Sequence, residues 1–234
     1  MDSNLWELED VEEGLFVSLL LSYYELSSAI KQCFLYYAVF PKDHYFSRKE
    51  LVYKWMVQGY LHSKANIELE IVGEGYFENL AMRCFFQDFD KDVNDGKIRR
   101  CKTHDIVHDL AQFMTRNECF AVVVDGDQGL RIDCINARHL LLTVTQDIHV
   151  TLYNSKNMRT FLVGDSNIVV SNLLNLTCVR ELCLKCCSIK ELPNEVGNLI
   201  HLRYLNLSHS TLEELPETIC NFMQFTNFGC KCMS

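Results

Sequence analysis

Seven positions near the end of the sequence recur at a single interval. Val179, Leu182, Leu184, Ile189, Leu192, Pro193 and Val196 return 23 residues later as Leu202, Leu205, Leu207, Leu212, Leu215, Pro216 and Ile219. Within each unit the spacing is L-x-x-L-x-L-x-x-[N/C], carried first by Val179, Leu182, Leu184 and Cys187, then by Leu202, Leu205, Leu207 and Ser210. A unit this short cannot bury its apolar side alone. Units must stack, each giving one short strand and a return segment to a solenoid. This is the signature of a leucine-rich repeat. Strand residues that alternate with the leucines point the other way, so Glu181, Cys183, Lys185, Tyr204, Asn206 and Ser208 form the exposed strand face, a candidate binding surface. Phe222, Phe225 and Phe228 fall near an open edge of such a stack.

Upstream the periodicity is helical. Residues 11–40 carry apolar spacing of that kind, with Leu26, Ile30, Cys33, Phe34, Tyr37 and Ala38 on one stripe until Pro41 stops it. In "SRKELVYKWMVQGYL", Ser47 and Glu50 read as a capping box, Leu51, Val52, Trp55 and Met56 as the buried side, and Gly59 as a left-handed stop. A third helix is predicted over about 68–84, burying Ile71, Val72, Phe77, Leu80 and Ala81. Asn94-Asp95-Gly96 then marks a hairpin turn between two short strands. A closing helix buries Ile106, Val107, Leu110, Ala111, Phe113 and Met114. Helices, a hairpin wing and a closing helix describe a winged-helix domain over 26–117. "CFAVVV", "ARHLLLTV" and "MRTFLV" read as strands. The expected fold class is thus a mainly α winged-helix domain followed by the start of an α/β leucine-rich-repeat solenoid. Its parts are a leading segment 1–25, the winged helix 26–117, a linker with N-terminal solenoid strands 118–172, and repeats 173–234.

Charge and cysteine content narrow the function classes. A net charge of −9 makes the whole chain a poor match for a polyanion. The first 25 residues hold seven acids and no Lys or Arg, which does not fit a signal peptide, and no apolar run is long enough for a membrane span. The twelve cysteines are therefore expected as thiols in a reducing compartment. Cys183 with Cys186 spells C-x-x-C and Cys230 with Cys232 spells C-x-C, but zinc needs four converging ligands, and the repeat register already accounts for the first pair.

The stretch "CKTHDIVHDLAQFM", residues 101–114, places His104-Asp105 and His108-Asp109 four apart. Two histidines at that spacing share a helix face, as in a metal-dependent hydrolase, although no third ligand is spaced to suit. A DNA-binding winged helix is the other alternative, since Lys97, Arg99, Arg100 and Lys102 make the wing basic. Glu68, Glu70, Glu74 and Glu78 on the helix before it should repel phosphates. The bland reading puts His108 and Asp109 on a solvated helix face. His104 differs because it stands at the first turn of the closing helix, where unpaired N–H groups favour an anion. Yet these residues contain no G-x-x-x-x-G-K-[S/T], so no nucleotide cradle accompanies it.

"QCFLYYAVFPKDHYFSRKELVYKWMVQGYL" resembles the C-F-L-Y-C-A-x-F-P-x-D segment that opens the winged-helix part of plant NB-ARC–LRR disease-resistance proteins (NLRs), especially the coiled-coil class. "CKTHDIVHDLAQFM" is similar to their M-H-D motif, with Thr103 in place of Met, and "WELEDVEEGLFVSLLLSYYELSSAIK" to the stretch that links the preceding helical subdomain. The resemblance implies that His104 contacts the β-phosphate of ADP in the resting receptor and that Asp105 supports it. It implies ADP or ATP as the cofactor of the full receptor, with none bound by these residues alone. It also implies a pathogen effector or a guarded host protein as the partner of the repeats, no specific nucleic acid, no catalysis, and a cytoplasmic or nuclear place. Tyr37 stands where the family has cysteine, a packing substitution. The P-loop, the Walker B strand and the coiled-coil region of the family are not among these 234 residues, and only about two repeats are recognisable, so a piece of a longer receptor is expected.

Overall fold

A computed structural model describes residues 10–63, 67–115, 118–125, 129–144, 148–164, 168–171, 175–185, 187, 192, 194–212, 214 and 217. The chain divides into two compact units, Met1–Arg116 and Asn117–Ser234. Each has its own core.

The first unit runs α1 (Asp10–Tyr24), α2 (Ser28–Leu35), a 3₁₀ turn (Tyr36–Val39), β1 (Phe46–Ser47), α3 (Arg48–Gln58), α4 (Leu69–Met82), β2 (Gln87–Lys91), β3 (Ile98–Lys102) and α5 (Asp105–Thr115). The apolar stripe expected over 11–40 is cut at Ser27. Its hydroxyl accepts from the Ile30 N–H at 3.4 Å, and a serine that bonds the backbone in this way starts a new helix rather than continuing an old one. At the next cap, Ser47 stands at the N-cap of α3, but its side chain makes no capping bond, so the serine half of the expected box does not form. Gly59 ends α3 in the left-handed region, φ 71°. On α4 the buried line is Gly73, Phe77 and Leu80, spaced i, i+4, i+7; Ile71 lies off that line and is exposed, against expectation.

The wing is the three-stranded sheet β1-β3-β2, with Gly96 at φ +67° in its turn. The four cations Lys97, Arg99, Arg100 and Lys102 are engaged within the wing and the loop beside it. Lys102 pairs with Asp43 at 2.9 Å and Asp88 at 3.1 Å, Arg99 with Asp92 at 3.7 Å, and Lys97 with Asp95 at 4.0 Å, while Arg100 lies over the Tyr45 ring at 5.5 Å. A phosphate backbone would have to displace these acids, which argues against the DNA-binding alternative.

Tyr37 is the hub of this unit's core. Its ring meets Phe46 at 4.8 Å, Phe86 at 5.2 Å, Trp55 at 6.3 Å and Phe34 at 6.4 Å. Burial, and then the thiols of Cys101 and Cys33, push its hydroxyl well above the usual range. That hydroxyl has no hydrogen-bond partner among the described residues. Tyr37→Phe deletes a desolvated polar atom and keeps the ring, so urea midpoints should rise by the equivalent of about 1 kcal/mol. A drop of that size would show the hydroxyl to be bonded.

The second unit is a solenoid of parallel strands. One sheet has the order β11-β10-β8-β6-β4 and the other β5-β7-β9, with β4 Cys119–Val124, β5 Leu130–Asp133, β6 His139–Val144, β7 Ile148–Tyr153, β8 Thr160–Val163, β9 Ile168–Ser171, β10 Glu181–Cys183 and β11 Tyr204–Asn206. Register is in step across the first sheet, with Leu140, Phe161, Leu182 and Leu205 as successive partners, all buried. Single 3₁₀ turns fill return segments at Ser155–Asn157 and Asn194–Asn198. The repeat therefore begins before the two recognised units. Ala137-Arg138-His139-Leu140-Leu141-Leu142 and Met158-Arg159-Thr160-Phe161-Leu162-Val163 occupy the same register as Val179–Leu184. Intervals of 21 residues and a Phe or Val in place of Leu conceal them in the sequence. Cys187 closes its turn with a weak Sγ–H bond to the Lys185 carbonyl at 3.7 Å. Ile189, Pro193, Leu215, Pro216 and Ile219, the three phenylalanines from Phe222 onward, and Cys186, Cys230 and Cys232 lie outside the described residues.

Candidate functional site

The N-terminus of α5 is assembled by the wing on one side and the helix itself on the other. Thr103 is buried and anchors the end of β3, whereas His104 and Asp105 are exposed. His104 is the helix cap. Its carbonyl accepts from Val107 N–H at 2.9 Å and His108 N–H at 3.0 Å, and its Nδ1 accepts from Ile106 N–H at 3.4 Å. An imidazole nitrogen that accepts carries no proton, so the capping bond places the proton on Nε2. The ring thus presents an N–H donor to solvent beside the positive end of a helix dipole. That arrangement can hold an anion by hydrogen bonding without the ring being charged.

His108 does not share this surface. It is buried, and its Nε2 donates to the Phe40 carbonyl at 2.7 Å, while Nδ1 finds no partner among the described residues. The solvated face expected for it is wrong because the 3₁₀ turn and Phe40 turn their carbonyls toward α5. Gln112, one turn on, donates to the Ala38 carbonyl, and Lys42 pairs with Asp109 at 2.7 Å. Three ties therefore fix α5, and with it His104, to the segment 38–42. The Lys42–Asp109 pair is half exposed and contributes little to stability. A metal site shared by His104 and His108 is incompatible with one ring outside and the other bonded inside. Among the described residues no group of three His, Cys, Asp or Glu is placed to hold a metal.

On the solenoid, the candidate recognition face needs one correction. Glu181 is fully buried, in register between Thr160 and Tyr204, and offers no surface. Alternation along a strand gives the direction of a side chain but not what lies over it. Cys183, Lys185, Tyr204, Asn206 and Ser208 are half-buried. Three of them are joined. Asn206 donates from Nδ2 to the Tyr204 hydroxyl at 3.3 Å and accepts at Oδ1 from the Ser208 N–H at 3.0 Å and hydroxyl at 2.7 Å.

Sequence reasoning missed a column of arginines beside this face. Arg138, Arg159, Arg180 and Arg203 each stand one residue before a strand of the first sheet. The carbonyls of Arg138, Arg159 and Arg180 each accept from the arginine of the following unit and from the residue after it, at 2.7–3.1 Å. The recurring Arg ahead of each Leu/Phe-x-Leu/Val was the available signal.

Residues 39–111 match the family described as "Disease resistance protein Winged helix domain". The chain is 34% identical over 209 residues to "Putative disease resistance protein RGA1" of Solanum bulbocastanum, covering 88% of this chain and 19% of that protein. It is 34% identical over 200 residues to "Disease resistance protein RGA2" of the same organism, covering 86% and 18%. With "Putative disease resistance RPP13-like protein 1" of Arabidopsis thaliana the identity is 30% over 239 residues, covering 94% and 21%. The chain thus spans about a fifth of the length of the curated relatives it matches. None of its described helices is long and apolar enough to cross a membrane.

Proposed function

This chain belongs to the plant disease resistance proteins, with their winged-helix domain at residues 39–111, and from that premise we propose that it supplies one arm of a nucleotide-controlled immune switch. In this reading a nucleotide domain elsewhere in the receptor binds ADP, and His104 grips a phosphate oxygen through Nε2–H. Asp105 supports the motif from the first turn of α5. The observation that carries the reading is the His104 cap: it selects the donor tautomer and leaves that donor exposed. Bound ADP supplies the charge that the cap and the helix dipole attract. Exchange for ATP shifts the population toward a state without this contact, because a ligand moves an equilibrium only by its differential affinity for the two states. The residues present bind and position; they perform no catalysis.

The solenoid is the beginning of a recognition surface for an effector or a guarded host protein. Cys183, Lys185, Tyr204, Asn206 and Ser208 form its described part, with the arginine column as a cationic border. The switch acts inside the cell, in the cytoplasm or nucleus.

The test uses a receptor that carries these residues together with its nucleotide domain. His104→Ala should speed release of bound ADP by about ten- to a hundredfold, the equivalent of one hydrogen bond to a charged group. Release at the parent rate would remove His104 from the switch.

A further inference from the structure

We propose that His139 is an acid-sensitive latch in the first turns of the solenoid: the imidazole is held neutral inside a buried polar column, and mild acidification loosens β4, β6 and β8 together. The proposal stands apart from the nucleotide reading and concerns a different unit. Cys119, His139, Thr160, Glu181 and Tyr204 are successive register partners across β4, β6, β8, β10 and β11. His139 is 5% exposed and Thr160 and Glu181 are 0% exposed. His139 Nδ1 lies 2.9 Å from the Thr160 hydroxyl, a bond that either neutral tautomer satisfies.

The charged neighbours oppose an imidazolium. Arg138 adjoins His139 on its own strand, Arg159 precedes Thr160, and Arg180 precedes Glu181; all three repel a proton on the ring. On the β4 side stand the Cys119 thiol and Glu118, whose carboxylate is held by Arg138 at 3.3 Å. Glu181 is the acid of the column and lies beyond Thr160. Burial first, and then the arginines, hold the His139 pKa down at about 3.

The folded value lies below that of an unfolded histidine, about 6.5, so stability is complete above about pH 6.5 and falls as pH drops from there toward 3. The unit's other histidines, His149, His201 and His209, are exposed, which leaves His139 as the buried one. Between pH 7.5 and 5.5 the open population of these turns rises about tenfold.

Amide hydrogen exchange on the full chain tests this, with intrinsic rates corrected for pH. Protection of residues 119–124, 139–144 and 160–163 should fall about tenfold from pH 7.5 to 5.5 in the parent and stay level in His139→Gln. Unchanged protection in the parent, or the same fall in the variant, overturns the proposal. Should His139→Gln fail to fold, ring ¹⁵N shifts of the parent decide instead. An imidazole that remains neutral at pH 5.5 in folded molecules supports the latch, and one that titrates there overturns it.

Discussion

Trp55→Ala is expected to remove roughly 4–5 kcal/mol from the winged-helix unit, which for a unit of this size is a large fraction of its stability. The indole is fully buried and meets Tyr37 edge-to-face at 6.3 Å. Its N–H donates to the buried Cys33 carbonyl at 3.1 Å, so truncation opens a large cavity and removes that carbonyl's indole donor. Two terms act together, and Trp55→Phe separates them. The phenyl ring refills most of the cavity but cannot donate, so its cost should be about 1–3 kcal/mol. Urea unfolding followed by far-ultraviolet circular dichroism reads both. A Trp55→Ala midpoint within error of the parent would mean that the indole is not in the core.

Gly73→Ala carries the second-largest expected loss, and its sign is opposite to what helix propensity says. An alanine in mid-helix gains about 1 kcal/mol over glycine. Here, however, an added Cβ would stand 2.5 Å from Val52 Cγ1 and 2.9 Å from Leu61 Cδ1, both on buried residues. Valine is stiff about χ1 and sits on α3, the helix that α4 packs against, so relief requires the helices to separate. Overpacking of this kind costs about 1–3 kcal/mol and outweighs the propensity gain. Two contacts under 3 Å put the overpacking at the upper end of that range, about 3 kcal/mol, so the net expectation is a loss of about 2 kcal/mol. Adding Val52→Ala should recover part of it, a non-additivity that marks direct contact. A higher melting temperature for Gly73→Ala alone would show that α3 and α4 do not approach this closely.

These two positions differ in how well the sequence announced them. Trp55 sits in the apolar stripe of "SRKELVYKWMVQGYL" and was expected inside. Gly73 carries no side chain for a periodicity to register, and Ile71 two residues away was expected inside instead. The same contrast runs through the functional residues. His104 was placed at a helix start by the strand–turn–helix pattern around it, and the fold puts it there. His108 was assigned to solvent, because nothing local reveals that Phe40, 68 residues away, turns a carbonyl toward it.

Periodic features were legible because they arise from the geometry of one segment: 3.6 residues per helical turn, two per strand step, and the span of one solenoid coil. They assigned the helices and the leucines that line the solenoid core, while single turn residues, Asn94-Asp95-Gly96 and Gly59, marked the hairpin and a helix end. What each polar group meets was decided by the tertiary structure. The burial of Glu181, the bond between His139 and Thr160, the arginine column and the neutralised wing each depend on residues brought together from separate segments. A side chain's direction is a local property of the backbone; its partner is not, since folding brings that partner from elsewhere in the chain.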